Sequence, residues 1–157
     1  MSVHHPVNPD DYNNPLVQAQ WLEEQQAKVI RYLRVQRIRH GGVATSPAWF
    51  LAPYVSVWAV SQRQSEATGW WVVTGDLPTD YLDARRLPNA RRALAALVRR
   101  WRNLALAMER NEDHPEYSVR GVRDNAGAGE RMRHTAIVLQ EMIDDDELWT
   151  TDTPPRA

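Results

Sequence analysis

Gly69-Trp70-Trp71-Val72-Val73-Thr74-Gly75-Asp76-Leu77-Pro78-Thr79-Asp80-Tyr81 is the stretch that decides the fold. Residues 70–74 join aromatic and β-branched side chains, which suit a pleated, largely buried surface, and Gly69 and Gly75 bound the run with turn chemistry. Residues 54–60 have the same character, and the polar stretch 61–68 between the two runs has the length of a hairpin connector. An antiparallel hairpin is the simplest topology. On it Val55, Val57 and Ala59 point one way and Ser56, Trp58 and Val60 the other, while Trp71 and Val73 alternate with Trp70, Val72 and Thr74. Both faces carry large apolar groups, so both are expected to be covered.

Just past the strand, Asp76-Leu77-Pro78-Thr79-Asp80 gathers side-chain oxygens around a proline. That composition suits a turn or helix entry in which Asp or Thr accepts free backbone N–H groups. Two carboxylates four residues apart also resemble the start of an acid–base or metal site. No His, Cys or further Glu lies beside them in sequence to complete one.

The string GWWVVTGDLPTDY, followed by an Arg- and Ala-rich helix ending near Trp101, resembles a family of small, uncharacterised bacterial proteins known as a domain of unknown function. Looser similarity runs from about Pro47 to Trp101. The resemblance implies membership alone. It brings no activity, ligand or catalytic residue, so no role is carried onto any position.

At 157 residues the chain suits one domain with a core of its own. Hydrophobic content of 43% and charged content of 25% fit a globular protein and argue against wholesale disorder. The absence of Cys removes disulfides, thiolate nucleophiles and Cys-based metal sites together. Residues 1–14 lack the apolar core of a signal peptide, and no apolar run is long enough to span a membrane, so a cytoplasmic location is expected.

The charge pattern says more than the net charge of −1. All the basic residues but Lys28 are Arg, a composition that bidentate anion recognition favours and that a GC-rich genome also produces. From Asp83 to Arg110, eight Arg oppose only Asp83 and Glu109, whereas Asp144-Asp145-Asp146-Glu147 is a block of acids. The two regions either face each other within the fold or present charged faces to partners.

Residues 1–15 read as a flexible arm, residues 16–149 as one globular domain and residues 150–157 as a frayed tail. A first helix is expected from residue 16 to about 39, with Leu22, Val29, Ile30, Leu33 and Ile38 as its apolar stripe and Gly41-Gly42 as its stop. Trp49-Phe50-Leu51 either joins the sheet early or wedges over the core, and residues 76–89 read as turn-rich. The cleanest helix covers residues 90–109, with Asn89 as N-cap and Leu94, Leu97, Val98, Trp101, Leu104, Ala105 and Met108 on one face. Arg92, Arg99 and Arg110 line up with Asn103 on the other. Residues 111–129 read as a long loop, in which Tyr117-Ser118-Val119 offers a short edge strand and His114 joins Glu112, Asp113 and Glu116 without metal-site spacing. A last helix is expected from Glu130 to about Leu148.

No nucleophile motif, P-loop, dinucleotide fingerprint or zinc motif is present. Seven Trp in one small chain suggest both core filling and interface anchors, with an aromatic patch beside Asp76 and Asp80 suited to a partner's Arg or Lys. The reading is an α+β domain, a small antiparallel sheet against three principal helices. It is expected to act by binding another protein, an immunity protein neutralising a toxin or effector being one concrete form. The candidate binding residues are Trp70, Trp71, Asp76, Asp80, Tyr81, Arg92, Arg99 and Arg110. No catalytic residue, metal or cofactor is expected, nor a nucleic-acid or membrane partner, and the oligomeric state stays open. Two competing readings are a small hydrolase or metal-dependent enzyme using Asp76, Asp80 and His114 or His134, and an Arg-dependent nucleic-acid binder working through residues 90–110.

Overall fold

A computed structural model describes residues 6–110 and 126–150. The first helix, α1, spans Pro15–Val35. Asn14 caps it by accepting the Leu16 N–H at 3.0 Å, and Pro15 at its first position lacks an N–H that would otherwise go unpaired. The end comes earlier than the expected residue 39. Arg37 turns left-handed (φ 57°), its N–H bonds the Arg34 carbonyl at 3.1 Å, and the Ile38 N–H reaches the Leu33 carbonyl at 3.0 Å. These paired bonds close the helix without glycine, and Ile38 folds back onto the cluster that holds Leu33. The buried ridge is Val17, Trp21, Gln25, Val29 and Leu33, each four residues from the last; Ile30, expected in the stripe, lies one step outside it and is 42% exposed.

Among the described residues, five antiparallel strands form one sheet: β1 Gly42–Val43, β2 Trp49–Leu51, β3 Val55–Ser61, β4 Thr68–Gly75 and β5 Asp80–Asp83. The central hairpin is antiparallel with the expected alternation of faces, and its register pairs Ser56 with Thr74, Trp58 with Val72 and Val60 with Trp70 on one face, and Val57 with Val73 and Ala59 with Trp71 on the other. Both β1 and β2 pair with β3, so Trp49-Phe50-Leu51 does join the sheet. Strand β5 pairs with β4 inside the segment read as turn-rich. Its alternation is only four residues long, Leu82 buried and Asp83 exposed, which is too short to register as a period. At the end of β4, Gly75 has φ 145° and a Cβ there would strike the Tyr54 carbonyl, so glycine alone fits where the β2–β3 turn passes.

Each face of the sheet is covered. Trp21, Leu22, Val29 and Leu33 of α1 pack with Phe50, Trp58, Val60 and Val72. On the other face Val55, Val57, Trp71, Val73 and Leu82 meet Leu94, Leu97, Val98 and Trp101 of α2, Ala90–Glu109, together with Met132, Ala136, Leu139 and Ile143 of α3, Ala126–Asp144. The result is an α+β protein of three layers, with α1, the sheet and the α2–α3 pair in order. Helix α2 has the bounds and the Asn89 cap expected of it, the Asn89 side chain accepting the Arg92 N–H at 2.9 Å.

Helix α3 starts before Glu130 and takes in Gly127 and Gly129, which read as loop residues in the sequence. Packing explains Gly129: a Cβ there would lie 2.8 Å from the Ala105 carbonyl oxygen and 3.0 Å from the Met108 Cβ, so its absence lets the helices cross closely. The helix also stops short of Leu148. Asp145 caps a 3-10 turn, Asp146–Trp149, by accepting the Glu147 N–H at 3.1 Å. The proposed Tyr117-Ser118-Val119 strand and the His114 group lie outside the described residues.

Candidate functional site

Asp80 and Asp76 do not share a setting. Asp80 is 3% exposed on β5 and its carboxylate accepts the Trp101 indole N–H at 2.9 Å, the Tyr81 N–H at 2.9 Å and an Arg100 guanidinium N–H at 3.4 Å. Arg100 also donates to the Tyr81 carbonyl at 2.7 Å. A buried carboxylate with three donors is satisfied, and it ties α2 to the sheet. The same bonds occupy the N–H and C=O of Tyr81, blocking that part of an edge strand against pairing with another chain. Asp76 is exposed where β4 ends, its N–H bonded to the Tyr54 carbonyl at 3.0 Å. His134 is exposed on α3.

The tryptophans also turn inward. Indole N–H groups of Trp49, Trp58, Trp71, Trp101 and Trp149 donate to the Leu148 carbonyl, Ser56 Oγ, the Leu87 carbonyl, Asp80 and the Met142 carbonyl, each at 2.9 Å. Each of these rings fills apolar space, and all but Trp58, whose bond stays within β3, fasten another segment with the polar edge. Trp49 stacks on Trp149 at 4.1 Å between centroids, and Arg91 lies 5.6 Å over the Trp149 ring. Trp71 is buried. Trp70 is half-buried against the α1 cluster, and Tyr81, also half-buried, packs on Tyr32 with centroids 5.9 Å apart. The aromatic and acidic candidates therefore belong mostly to packing, and Trp70, Tyr81 and Asp76 alone among them reach solvent.

The basic candidates stand differently. Arg92, Arg99 and Arg110 are exposed, joined by Arg102, which the sequence reading omitted. Among the described residues, the ion pairs are Arg85–Asp83, Arg91–Asp146, Arg100–Asp80 and Arg133–Glu109, so the carboxylates bordering α2 are taken by other arginines. Leu106, 45% exposed, lies on the same outer side, as do half-buried Ala95 and Ala96. Helical spacing could have found both Arg102 and Leu106, since Leu106 follows Arg92 and Arg99 at successive intervals of seven residues. At the sheet edge, hydrogen bonds from the Arg85 side chain and backbone hold the Asp83 carboxyl below its usual value, and Asp83 raises Arg85 in turn.

Other features offer less chemistry. Among the described residues no group of three or more His, Asp or Glu converges to hold a metal, and no helix is long and apolar enough to cross a membrane. A shallow groove of about 650 Å³ between β1 and the β3–β4 connector is lined by Gly42, Val43, Ser61, Gln62 and Thr68, with Glu66 its one ionisable group. Gln25 Oε1 and His40 Nδ1 are buried without a hydrogen-bond partner in the described structure.

Fold and surface together define a three-layered α+β protein whose charged groups on the sheet side of α2 are used internally, and whose outer α2 face carries arginines that have no carboxylate partner among the described residues. The chain belongs to the family described as Domain of unknown function (DUF4826), whose model matches residues 16–149. No curated protein and no solved structure matches it.

Proposed function

We propose that this protein works by binding another protein and has no chemistry of its own, with an inhibitor or immunity protein that neutralises a toxin as its concrete form. The observation that carries this reading is the division of charge around α2. Asp80, the carboxylate on which an acid–base site would depend, is enclosed by Trp101, Arg100 and the Tyr81 N–H, while Arg92, Arg99 and Arg102 stand exposed on a rigid helix. A preformed, charged face on a packed helix suits recognition, because little order has to be gained on binding. A cytoplasmic setting in a bacterial cell belongs to the same proposal.

Affinity capture with the full chain from its native host, followed by identification of the captured protein, tests the reading. The expected result is one partner in stoichiometric amount whose own activity falls on binding. Substrate turnover by the purified chain, abolished by Asp80→Asn with the fold intact, would overturn it.

A further inference from the structure

Arg92, Arg99 and Leu106 lie seven residues apart, so they form a nearly straight line along α2, with Arg102 beside it and Ala95 and Ala96 as a low floor between the long side chains. From Arg92 to Leu106 this strip is about 21 Å long, at about 1.5 Å per residue. Glu109 and Asp80 are paired with Arg133 and Arg100, so no unpaired acid is described on the strip. From this charge and shape we infer that the outer face of α2 receives an acidic amphipathic helix of a partner protein. Carboxylates on that helix meet Arg92, Arg99 and Arg102, and its apolar stripe rests on Leu106 and the alanine floor. This inference rests on the proposed binding function and names its surface and partner chemistry.

Three observations favour this occupant over nucleic acid. The chain carries a net charge of −1 rather than a basic excess. Its tryptophan rings are packed into the fold instead of standing among the arginines as stacking platforms. An exposed leucine at the end of the strip has no use against a phosphate backbone, whereas an amphipathic helix buries it. A second copy of the same face would set arginine against arginine.

The test titrates the full chain with a synthetic helical peptide carrying Glu at every fourth position beside a Leu stripe. The same peptide with Gln for Glu and a DNA duplex serve as comparison probes. The expected result is saturable binding that weakens with salt, falls at least about tenfold in Arg99→Glu/Arg102→Glu and several-fold in Leu106→Ala, and is lost with the Gln peptide. Unchanged urea midpoints of the variants establish that the fold survives. Equal affinity of wild type and variant, equal binding of the Gln peptide, tighter binding of the duplex, or self-association through the same arginines would each overturn the inference. A host partner held equally by wild type and Arg99→Glu/Arg102→Glu would remove this surface and leave the binding function standing, whereas no host partner at all would count against the function itself.

Discussion

Arg100 and Arg99 are neighbours on one helix and end in opposite situations. Arg100 reaches the Asp80 carboxylate and the Tyr81 carbonyl at the sheet edge, and Arg91, nine residues earlier, donates to the Ile143 carbonyl at 2.6 Å and pairs with Asp146 at 2.7 Å. Arg99, Arg92 and Arg102 point away from the core and have no carboxylate among the described ion pairs. One step along a helix rotates a side chain by about 100°. That rotation, and not the residue type or the local charge count, separates arginines that hold the fold from arginines available to a partner.

The inner side should respond most to mutation. Trp101→Ala removes a fully buried ring and one of the donors to Asp80, so a loss of about 3–5 kcal/mol in urea denaturation is expected. Trp101→Phe keeps most of the ring volume and should lose about 1–2 kcal/mol, chiefly through the missing hydrogen bond. No loss in Trp101→Phe would mean that the hydrogen bond to Asp80 contributes nothing. Next in size is Gly129→Ala, where a methyl group would press on the Ala105 carbonyl and Met108; thermal unfolding should show a loss of about 1–3 kcal/mol despite the better helix propensity of alanine. A gain in stability would show that α2 and α3 can move apart freely.

Arg91→Ala should be milder, about 1 kcal/mol, since its pair with Asp146 is largely exposed and the bonds to Ile143 carry most of the effect. Its sharper signature is local: the 3-10 turn Asp146–Trp149 should exchange amide protons faster while the sheet is unaffected. Smallest on the sheet side is Asp83. Its folded carboxyl titrates below the usual 3.8, so its contribution is present above that value and disappears as pH falls through the lowered one. Asp83→Asn should flatten that acid limb slightly and leave neutral-pH stability nearly unchanged, because the pair is exposed and screened by salt.

How far the sequence revealed this division depended on the range of the interactions. The central hairpin, its two apolar faces, and α2 with its Asn89 cap were legible because they rest on local alternation, helical period and one capping side chain. The exposed line through Arg92 and Arg99 followed from the same period, which also contained Arg102 and Leu106 unread. Asp80 was not legible: its partners, Arg100 and Trp101, lie about 20 residues away, and only the tertiary arrangement turns a turn-like Asp-Leu-Pro-Thr-Asp motif into a buried strand anchor. The early end of α1 and the helical Gly129 were likewise set by contacts, a left-handed Arg37 in one and the crossing of α2 in the other. Tryptophan count suggested exposed anchors, yet indole N–H groups found carbonyl, hydroxyl and carboxylate partners inside the fold, which no composition can indicate.

The division of α2 is tested most directly by the unfolding free energy in urea of Arg92→Glu/Arg99→Glu/Arg102→Glu beside wild type. A difference within about 0.5 kcal/mol is expected if the outer face plays no part in holding the fold. A loss of several kcal/mol would contradict the account, since these arginines would then be bound into the structure as Arg100 is, with no free face to offer a partner.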